Sequence, residues 1–159
     1  MGFFKDIAKG AMQAIDEAAQ EEKRRKELGL LPDVSISAEY RGGHPLITKE
    51  KGCVLKITND DITINCAGKK ATISYSDITG IHYETAEQVS RRYTATRILA
   101  LGVFALAFKK KKVDKTKYLT IDFIEAGMDC TTVITGKQSN EAYSKLFERY
   151  SGFVKRQSQ

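Results

Sequence analysis

The spacing of apolar residues divides the chain into a helical segment, a run of short strands and a second helical segment. Residues 3–28 contain no proline and many strong helix formers, and apolar side chains recur at helical spacing from Phe4 to Ala19, which predicts an N-terminal helix over 3–28. The apolar face of this predicted helix consists of Phe3, Phe4, Ile7, Ala11, Met12 and Ile15. This face needs a cover, and the main domain, a second copy and a membrane interface are all candidates.

The second half of the same helix, Gln20 to Glu27, is entirely polar and must be solvated. Two pairs of opposite charge four residues apart, Glu21 with Arg25 and Glu22 with Lys26, are expected to support it. Each such pair contributes only a few tenths of a kcal/mol. The helix is therefore expected to differ sharply between its two halves.

From Val34 to Ile134 apolar and polar residues alternate with period two, which predicts an antiparallel meander with one buried face. Asn59 and Asp60 form a tight turn within it. Apolar residues at helical spacing then predict a C-terminal helix that covers the sheet; they are Tyr143, Leu146, Phe147, Tyr150, Phe153 and Val154. The predicted fold class is α+β, mainly β, with an N-terminal helix in residues 1–30 and a domain in residues 31–159.

One stretch, Arg97 to Lys112 (RILALGVFALAFKKKK), is both the most apolar and the most basic part of the chain. Its apolar run is far shorter than the roughly 20 residues that span a bilayer as a helix. Three interpretations remain open: a buried core element, an interfacial hairpin with its lysines on lipid head groups, or an exposed protein-binding patch. Since no signal peptide is recognisable either, we expect a cytoplasmic protein, with peripheral attachment at the inner membrane face as an alternative.

The positive charge of the chain is concentrated in the same region. Between Arg91 and Lys117 nine basic residues stand against Asp114 alone, a local net charge of +8 in a chain of net charge +6. The predicted basic patch comprises Arg91, Arg92, Arg97, Lys109, Lys110, Lys111, Lys112, Lys115 and Lys117. Such a patch is typical of a surface for phosphate or anionic lipid, and equally of a solvated loop.

Nucleic acid is a weaker candidate for the partner of this patch. Tyr93 and Tyr118 lie near the basic residues in sequence and could stack on bases. No recognisable nucleic-acid-binding motif accompanies them. Nucleic acid is therefore not the expected partner.

Catalytic and metal-binding chemistry is not indicated. Cys53, Cys66 and Cys130 are widely spaced without a C-x-x-C motif, so we expect them to behave as small buried hydrophobes in a reducing compartment. His44 lies in a turn-rich loop and His82 alternates with apolar residues, so both are expected at the surface. No nucleophile with a base, carboxylate pair or phosphate-binding loop is recognisable. The sequence predicts a non-enzymatic protein without a metal or cofactor.

About seven short strands followed by one amphipathic helix is the element order of pleckstrin-homology-like (PH-like) domains, and the chain resembles their bacterial and phage versions. Tyr75 to Ile81 (YSDITGI) is similar to a Tyr-Ser-Asp-Ile segment that leads into a strand there. Arg97 to Lys110 fits a second segment, Arg-x-Leu-x-x-Gly-x-x-Ala-x-x-x-Lys-Lys, and a strand beginning Tyr118-Leu119 follows it. The resemblance covers roughly Val34 to Val154.

The resemblance implies a bent antiparallel sandwich or barrel whose last helix closes one end, and a role in binding lipid head groups, peptides, proteins or further copies. Lipid-binding members carry basic residues around the first hairpin, where this chain has only Arg41 with Lys49 and Lys51 nearby. We therefore expect a module for protein–protein interaction or self-assembly. The alternative is peripheral attachment to anionic lipid through Lys109–Lys112 and the N-terminal helix.

Overall fold

A computed structural model describes residues 2–48, 51–92 and 115–159 of the chain. The helices of this part are α1 (Gly2–Glu27), α2 (Ala86–Arg92) and α3 (Ser139–Gln157). Its strands are β1 (Val34–Gly42), β2 (Lys51–Ile57), β3 (Asp61–Cys66), β4 (Lys69–Ser74), β5 (Ile78–Thr85), β6 (Lys117–Glu125) and β7 (Met128–Thr135). The central stretch 97–112 lies outside the described residues, so its three interpretations stay predictions.

The seven strands form one sheet in the order β4-β3-β2-β1-β7-β6-β5, and every neighbouring pair is antiparallel. β2 and β3 join through the predicted turn, where Thr58 N–H donates to the Asp61 carbonyl at 3.0 Å. The prediction of an α+β fold, with an antiparallel meander between an N-terminal and a C-terminal helix, is confirmed.

The main core lies between the sheet and α3. Alternate residues of the strands face it, as the period-two pattern requires. The largest fully buried side chains are Tyr40, Tyr75, Phe123, Ile36, Leu55, Ile57, Ile62, Ile64, Ile73, Leu119, Ile121 and Ile134. α3 contributes Ala142 and Leu146 to this core and packs on β1, β2, β5 and β6. Burial of this apolar area, at about 25 cal/mol per Å², is what orders the domain.

The opposite face of the sheet is also buried along β6. Tyr118, Thr120 and Asp122 alternate with core residues and would face solvent in a meander with one buried face, yet each is buried. α2 places its buried residues, Ala86 and Val89, next to β5. The suggestion that Tyr118 stacks on nucleic-acid bases is therefore wrong, since its ring is not accessible.

The loop after β1 folds back onto the core instead of extending into solvent. The buried Tyr40 hydroxyl donates to the Ile47 carbonyl at 2.7 Å and accepts from the His44 N–H at 2.8 Å. The His44 ring stacks on Phe123 with 5.2 Å between ring centroids and is only 4 % exposed. The expectation that His44 lies at the surface is wrong. It rested on the turn-rich sequence around His44, which does not show contacts with residues distant in the chain.

The chain consists of two compact units, Met1–Pro32 and Asp33–Gln159. In the first, α1 runs without interruption and none of its described residues is buried. In the second, Cys53 and Cys66 are buried as expected, whereas Cys130 is only partly buried. His82 points away from the main core, as its alternation with Ile81 and Tyr83 predicts.

Candidate protein-binding surface

Strand β5 ends the sheet and lies beside α3. Among the described strands β5 pairs with β6 alone, so the backbone groups on its other side form an edge. An edge strand is a ready template for pairing with another extended chain. Ile81 and Tyr83 alternate along β5 on the face that α3 covers. The edge and the residues beside it define what we call the β5–α3 surface: Ile81, Tyr83, Lys117, Tyr143 and Phe147.

Aromatic side chains line this surface. Tyr83 of β5 stacks on Tyr143 of α3 with 5.5 Å between ring centroids and an interplanar angle of 18°. Tyr143 contacts Phe147, one helical turn later, at 5.9 Å. Phe147 remains 49 % exposed. A ladder of three rings that is covered only in part is apolar area available to a ligand.

Two contacts fix the Tyr83 end of the ladder. The Tyr83 hydroxyl lies 3.3 Å from the Ser139 hydroxyl at the start of α3. The Lys117 ammonium lies 5.4 Å from the Tyr83 ring centroid, a distance at which a cation is attracted to an aromatic face. Lys117, predicted as part of the basic patch, thus belongs to the β5–α3 surface. The rings are held in place before any partner arrives.

Arg92, also predicted as part of the basic patch, is directed into the protein on the other face of β5 and β6. Its Nε donates to both oxygens of Glu84 at 3.1 Å, and its Nη2 donates to the Thr120 hydroxyl at 2.7 Å. Its Nη1 lies 2.5 Å from Asp122 Oδ2, and Asp122 Oδ1 accepts from Thr131 at 2.6 Å. We call this group the Arg92 network. Two carboxylates offset the Arg92 charge, so the guanidinium is a structural tie and not a patch cation.

His82 extends the Arg92 network to the surface. Its Nε2 lies 3.3 Å from Asp122 Oδ2. Gly80 leaves room for the ring, because a Cβ at this position would lie 2.7 Å from His82 Nε2. His82 Nδ1 lies 3.9 Å from Glu84 Oε1, so two carboxylates flank the imidazole. Among residues 2–48, 51–92 and 115–159, no group of three or more His, Cys, Asp or Glu could hold a metal ion.

The remaining predicted patch residues do not form one described surface. Arg91 is exposed at the end of α2 and pairs with Glu87 one turn earlier. Lys115 and Lys117 are exposed at the start of β6. Arg97, Lys109, Lys110, Lys111 and Lys112 lie outside the described residues. The structure therefore separates Arg92 from the patch and associates Lys117 with aromatic rings.

The predicted apolar face of α1 is fully accessible within its own unit. Phe3 and Phe4 are 75 % and 80 % exposed and pack edge to face, with 6.2 Å between ring centroids. Ile7, Ala11, Met12 and Ile15 are exposed as well. In the part of the chain that the structure describes, no helix combines the length and hydropathy that a bilayer crossing requires. Residues 3–15 thus present a second apolar surface, which we call the α1 face.

Comparison with known proteins gives no functional assignment. No protein-family model matches the chain, and no curated protein matches it. The chain is similar to a solved structure, the C-terminal domain of an unknown protein from Leishmania infantum, at 14 % identity and a TM-score of 0.48. That match covers 84 % of this chain and 96 % of the other.

Sequence reasoning did not identify the β5–α3 surface as a unit. Tyr143 and Phe147 were predicted as part of the stripe that covers the sheet, and Tyr83 as one residue of a buried face. The available signal was the position of Phe147 within the α3 stripe. It lies at the margin of the apolar face, where a large side chain remains partly accessible.

Proposed function

We propose that the protein is a non-enzymatic binding module of the PH-like type that acts in the cytoplasm of a bacterium or phage-infected cell. It binds an extended segment of a protein partner, or of a second copy, at the β5–α3 surface. The observation that carries this proposal is the pairing of an open strand edge with three adjacent, partly exposed aromatic rings. A sheet of seven antiparallel strands followed by a covering helix supports the PH-like assignment.

The geometry suits recognition by strand addition. An added strand would take up the backbone hydrogen bonds at the edge of β5, which supply affinity without regard to sequence. Every second side chain of that strand would point toward α3 and contact Tyr143 and Phe147. Rigid aromatic rings give large contact area at a small cost in side-chain entropy. The rings would therefore select apolar residues at alternate positions of the partner.

A matched pair of charge-introducing variants tests the proposal. Phe147→Asp places a carboxylate at the exposed end of the aromatic ladder, whereas Ile124→Asp places one at a similarly exposed position near the end of β6. Light scattering of the purified chain and pull-down from the native host report self-association and partner capture. Both should be retained in Ile124→Asp and fall at least about tenfold in Phe147→Asp. A wild-type chain that stays monomeric and captures no protein contradicts the proposal.

A second candidate function is peripheral attachment to an anionic membrane, and the exposure of the α1 face favours it. Phe3, Phe4 and Ile7 could insert between lipid head groups, with Lys109–Lys112 attracted to the anionic surface. Four lysines at about 1 kcal/mol each give only millimolar-class attachment. The α1 face would supply the second signal that stable binding needs. Reversing the four lysines to glutamate should abolish co-sedimentation with anionic liposomes.

A further inference from the structure

Two of the three cysteines face each other across neighbouring strands. Along the register of β2 and β3, Leu55 lies opposite Ile64 and Val54 opposite Asn65. One more step places Cys53, on β2, opposite Cys66, the last residue of β3. Both side chains are buried on the core face.

The type of cross-strand position matters for what these thiols can do. Antiparallel pairs alternate between hydrogen-bonded and non-hydrogen-bonded sites. Thr58 and Asp61 close the hairpin with a hydrogen bond from Thr58 N–H to the Asp61 carbonyl. Counting outward from that pair places Cys53 and Cys66 at a non-hydrogen-bonded site, where Cα atoms of a regular ladder are about 4.5 Å apart and side chains are close together. Disulfides span Cα separations of about 4.4–6.8 Å, so this type of site suits a cross-strand disulfide.

The two thiols are not equivalent. Burial raises the pKa of both, that of Cys53 to about 12. On Cys66 the neighbouring Cys53 thiol and the Lys51 ammonium act in the opposite direction and favour the thiolate. Lys51 and Cys66 also line one cavity, to which Cys53 does not contribute. Cys66 is therefore the better nucleophile of the pair.

Cys66 also lines a cavity. A cavity of about 210 Å³ is lined by Ile47, Thr48, Lys51, Cys66, Ala67 and Lys69. A water molecule occupies about 30 Å³, so the cavity admits part of a small molecule. Two lysines at its wall favour an anionic one. Cys53 is not among the lining residues.

We propose that Cys53 and Cys66 form a dithiol site that anionic low-molecular-weight disulfides oxidise to a cross-strand disulfide. The reactant enters through the cavity beside Cys66, and its carboxylates are drawn to Lys51 and Lys69. The product links β2 to β3 in the register they already have. Oxidation thus cross-links the β2–β3 hairpin without rearranging the sheet.

The chemistry is two thiol–disulfide exchanges. The Cys66 thiolate attacks one sulfur of the external disulfide RSSR, forms a mixed disulfide and releases RS⁻, which takes up a proton. The Cys53 thiolate then attacks Cys66 Sγ, closes the protein disulfide and releases the second RS⁻. The protein loses two protons and two electrons, and RSSR takes up both to become two RSH.

The test uses the full chain, reduced and then incubated with glutathione disulfide. Intact mass spectrometry should show the loss of two hydrogens, and peptide mapping should place the bond between Cys53 and Cys66. Cys130→Ser, which removes the partly buried third thiol, should react like the wild type. A wild-type chain that keeps Cys53 and Cys66 reduced, or that links them only after urea unfolding, overturns the proposal.

Single variants test the assigned order of the two steps. Cys53→Ser should stop at a stable mixed disulfide on Cys66, because no second thiol can resolve it. Cys66→Ser should leave Cys53 largely unmodified over the same time. Circular dichroism must show that each variant is folded. The role of the cavity is overturned if the two single variants are modified equally fast, Cys66→Ser at Cys53 and Cys53→Ser at Cys66.

The charge of the reactant provides the last arm of the test. Lys69→Glu reverses one cavity charge and leaves Lys51, which favours the Cys66 thiolate, in place. This variant should react more slowly than the wild type with glutathione disulfide. Its reaction with the cationic disulfide cystamine should instead accelerate. An equal change of rate with both reagents overturns the assignment of an anionic reactant.

Discussion

Helices α1 and α3 have the same kind of amphipathic sequence but differ in the burial of their apolar residues. Each has an apolar stripe at helical spacing beside a polar face. In α3 Ala142 and Leu146 are fully buried against the sheet, whereas no described residue of α1 is buried. Amphipathicity therefore predicts that a helix forms and which face needs cover. It does not predict what covers that face.

The two helices also differ in what holds them. The polar half of α1 contains the predicted ion pairs: Lys26 Nζ lies 2.7 Å from Glu22 Oε1, and Arg25 Nε lies 3.6 Å from Glu21 Oε1. All four side chains are largely solvated, so each pair contributes only a few tenths of a kcal/mol. α3 instead depends on burial, which contributes several times more per residue. A helix of the first kind depends on local interactions, and one of the second kind on tertiary packing.

The largest expected effect is on stability, and it separates the helices directly. Leu146→Ala in α3 removes a fully buried side chain and should lower the free energy of unfolding by about 2–5 kcal/mol. Ile15→Ala in α1 removes a side chain of equal size that is 66 % exposed, and should change it by less than about 0.5 kcal/mol. Urea unfolding of both variants measures the difference. A similar loss in the two variants would break the comparison, because α1 would then be packed.

The next effect concerns the α1 face and the membrane. If this face inserts into lipid, Phe4→Ser should weaken binding to anionic liposomes by roughly 1.5–3 kcal/mol, about 10- to 150-fold, through lost apolar burial. The remaining binding should stay steeply salt-dependent, since the charges are unchanged. Co-sedimentation at several salt concentrations measures both quantities. Val54→Ser, at an exposed apolar position of β2, is the control and should bind like the wild type.

The outcome of that experiment decides between covers for α1. Binding to anionic but not neutral liposomes would identify the membrane as the cover of the α1 face. A wild-type chain that ignores anionic liposomes at low salt, where attraction is strongest, excludes the membrane function. The α1 face would then be left to a protein partner or a second copy.

The order and type of the elements could be predicted because each depends on local periodicity. Residues Val34–Ile57 alternate with period two, and the α3 stripe recurs with the helical period, so both patterns are visible within a short window. The burial of both faces of β6 was not predictable in this way. Thr120 and Asp122 are polar at alternate positions, and that pattern normally indicates a solvated face.

The Arg92 network shows why part of the candidate site escaped prediction. Arg92 lies 30 positions before Asp122 and 28 before Thr120, and its role depends on contacts that only the fold creates. In the sequence Arg92 is one of nine basic residues between Arg91 and Lys117, and a count of charges assigns all nine to one patch. Burial with two carboxylates converts the same side chain into a tie between α2 and the sheet. Charge composition therefore overstates the size of the basic patch.

The smallest expected effect is a dependence of stability on pH near neutrality, which arises in the packed unit from His44; α1 contains no histidine. Burial against Phe123 lowers the pKa of His44 below the value near 6.5 of an exposed histidine. Below about pH 6.5 this histidine is protonated in the unfolded chain, whereas in the folded chain it stays neutral until the pH approaches its lowered pKa. The free energy of unfolding should therefore be constant above about pH 6.5 and fall as the pH drops toward the folded pKa.

His44→Phe isolates this contribution, because it keeps an aromatic ring on Phe123 and removes the titrating group. The urea midpoint of the wild type should fall between pH 7.5 and pH 5.5, and that of His44→Phe should fall less. His82→Gln, which leaves His44 in place, should retain the His44 contribution. His44→Phe also loses the hydrogen bond from the Leu46 N–H to His44 Nδ1. Its urea midpoint at pH 5.5 is therefore compared with its own midpoint at pH 7.5. Equal pH dependence in wild type and His44→Phe would show that the ring is solvated, and that the loop after β1 does not pack on the core.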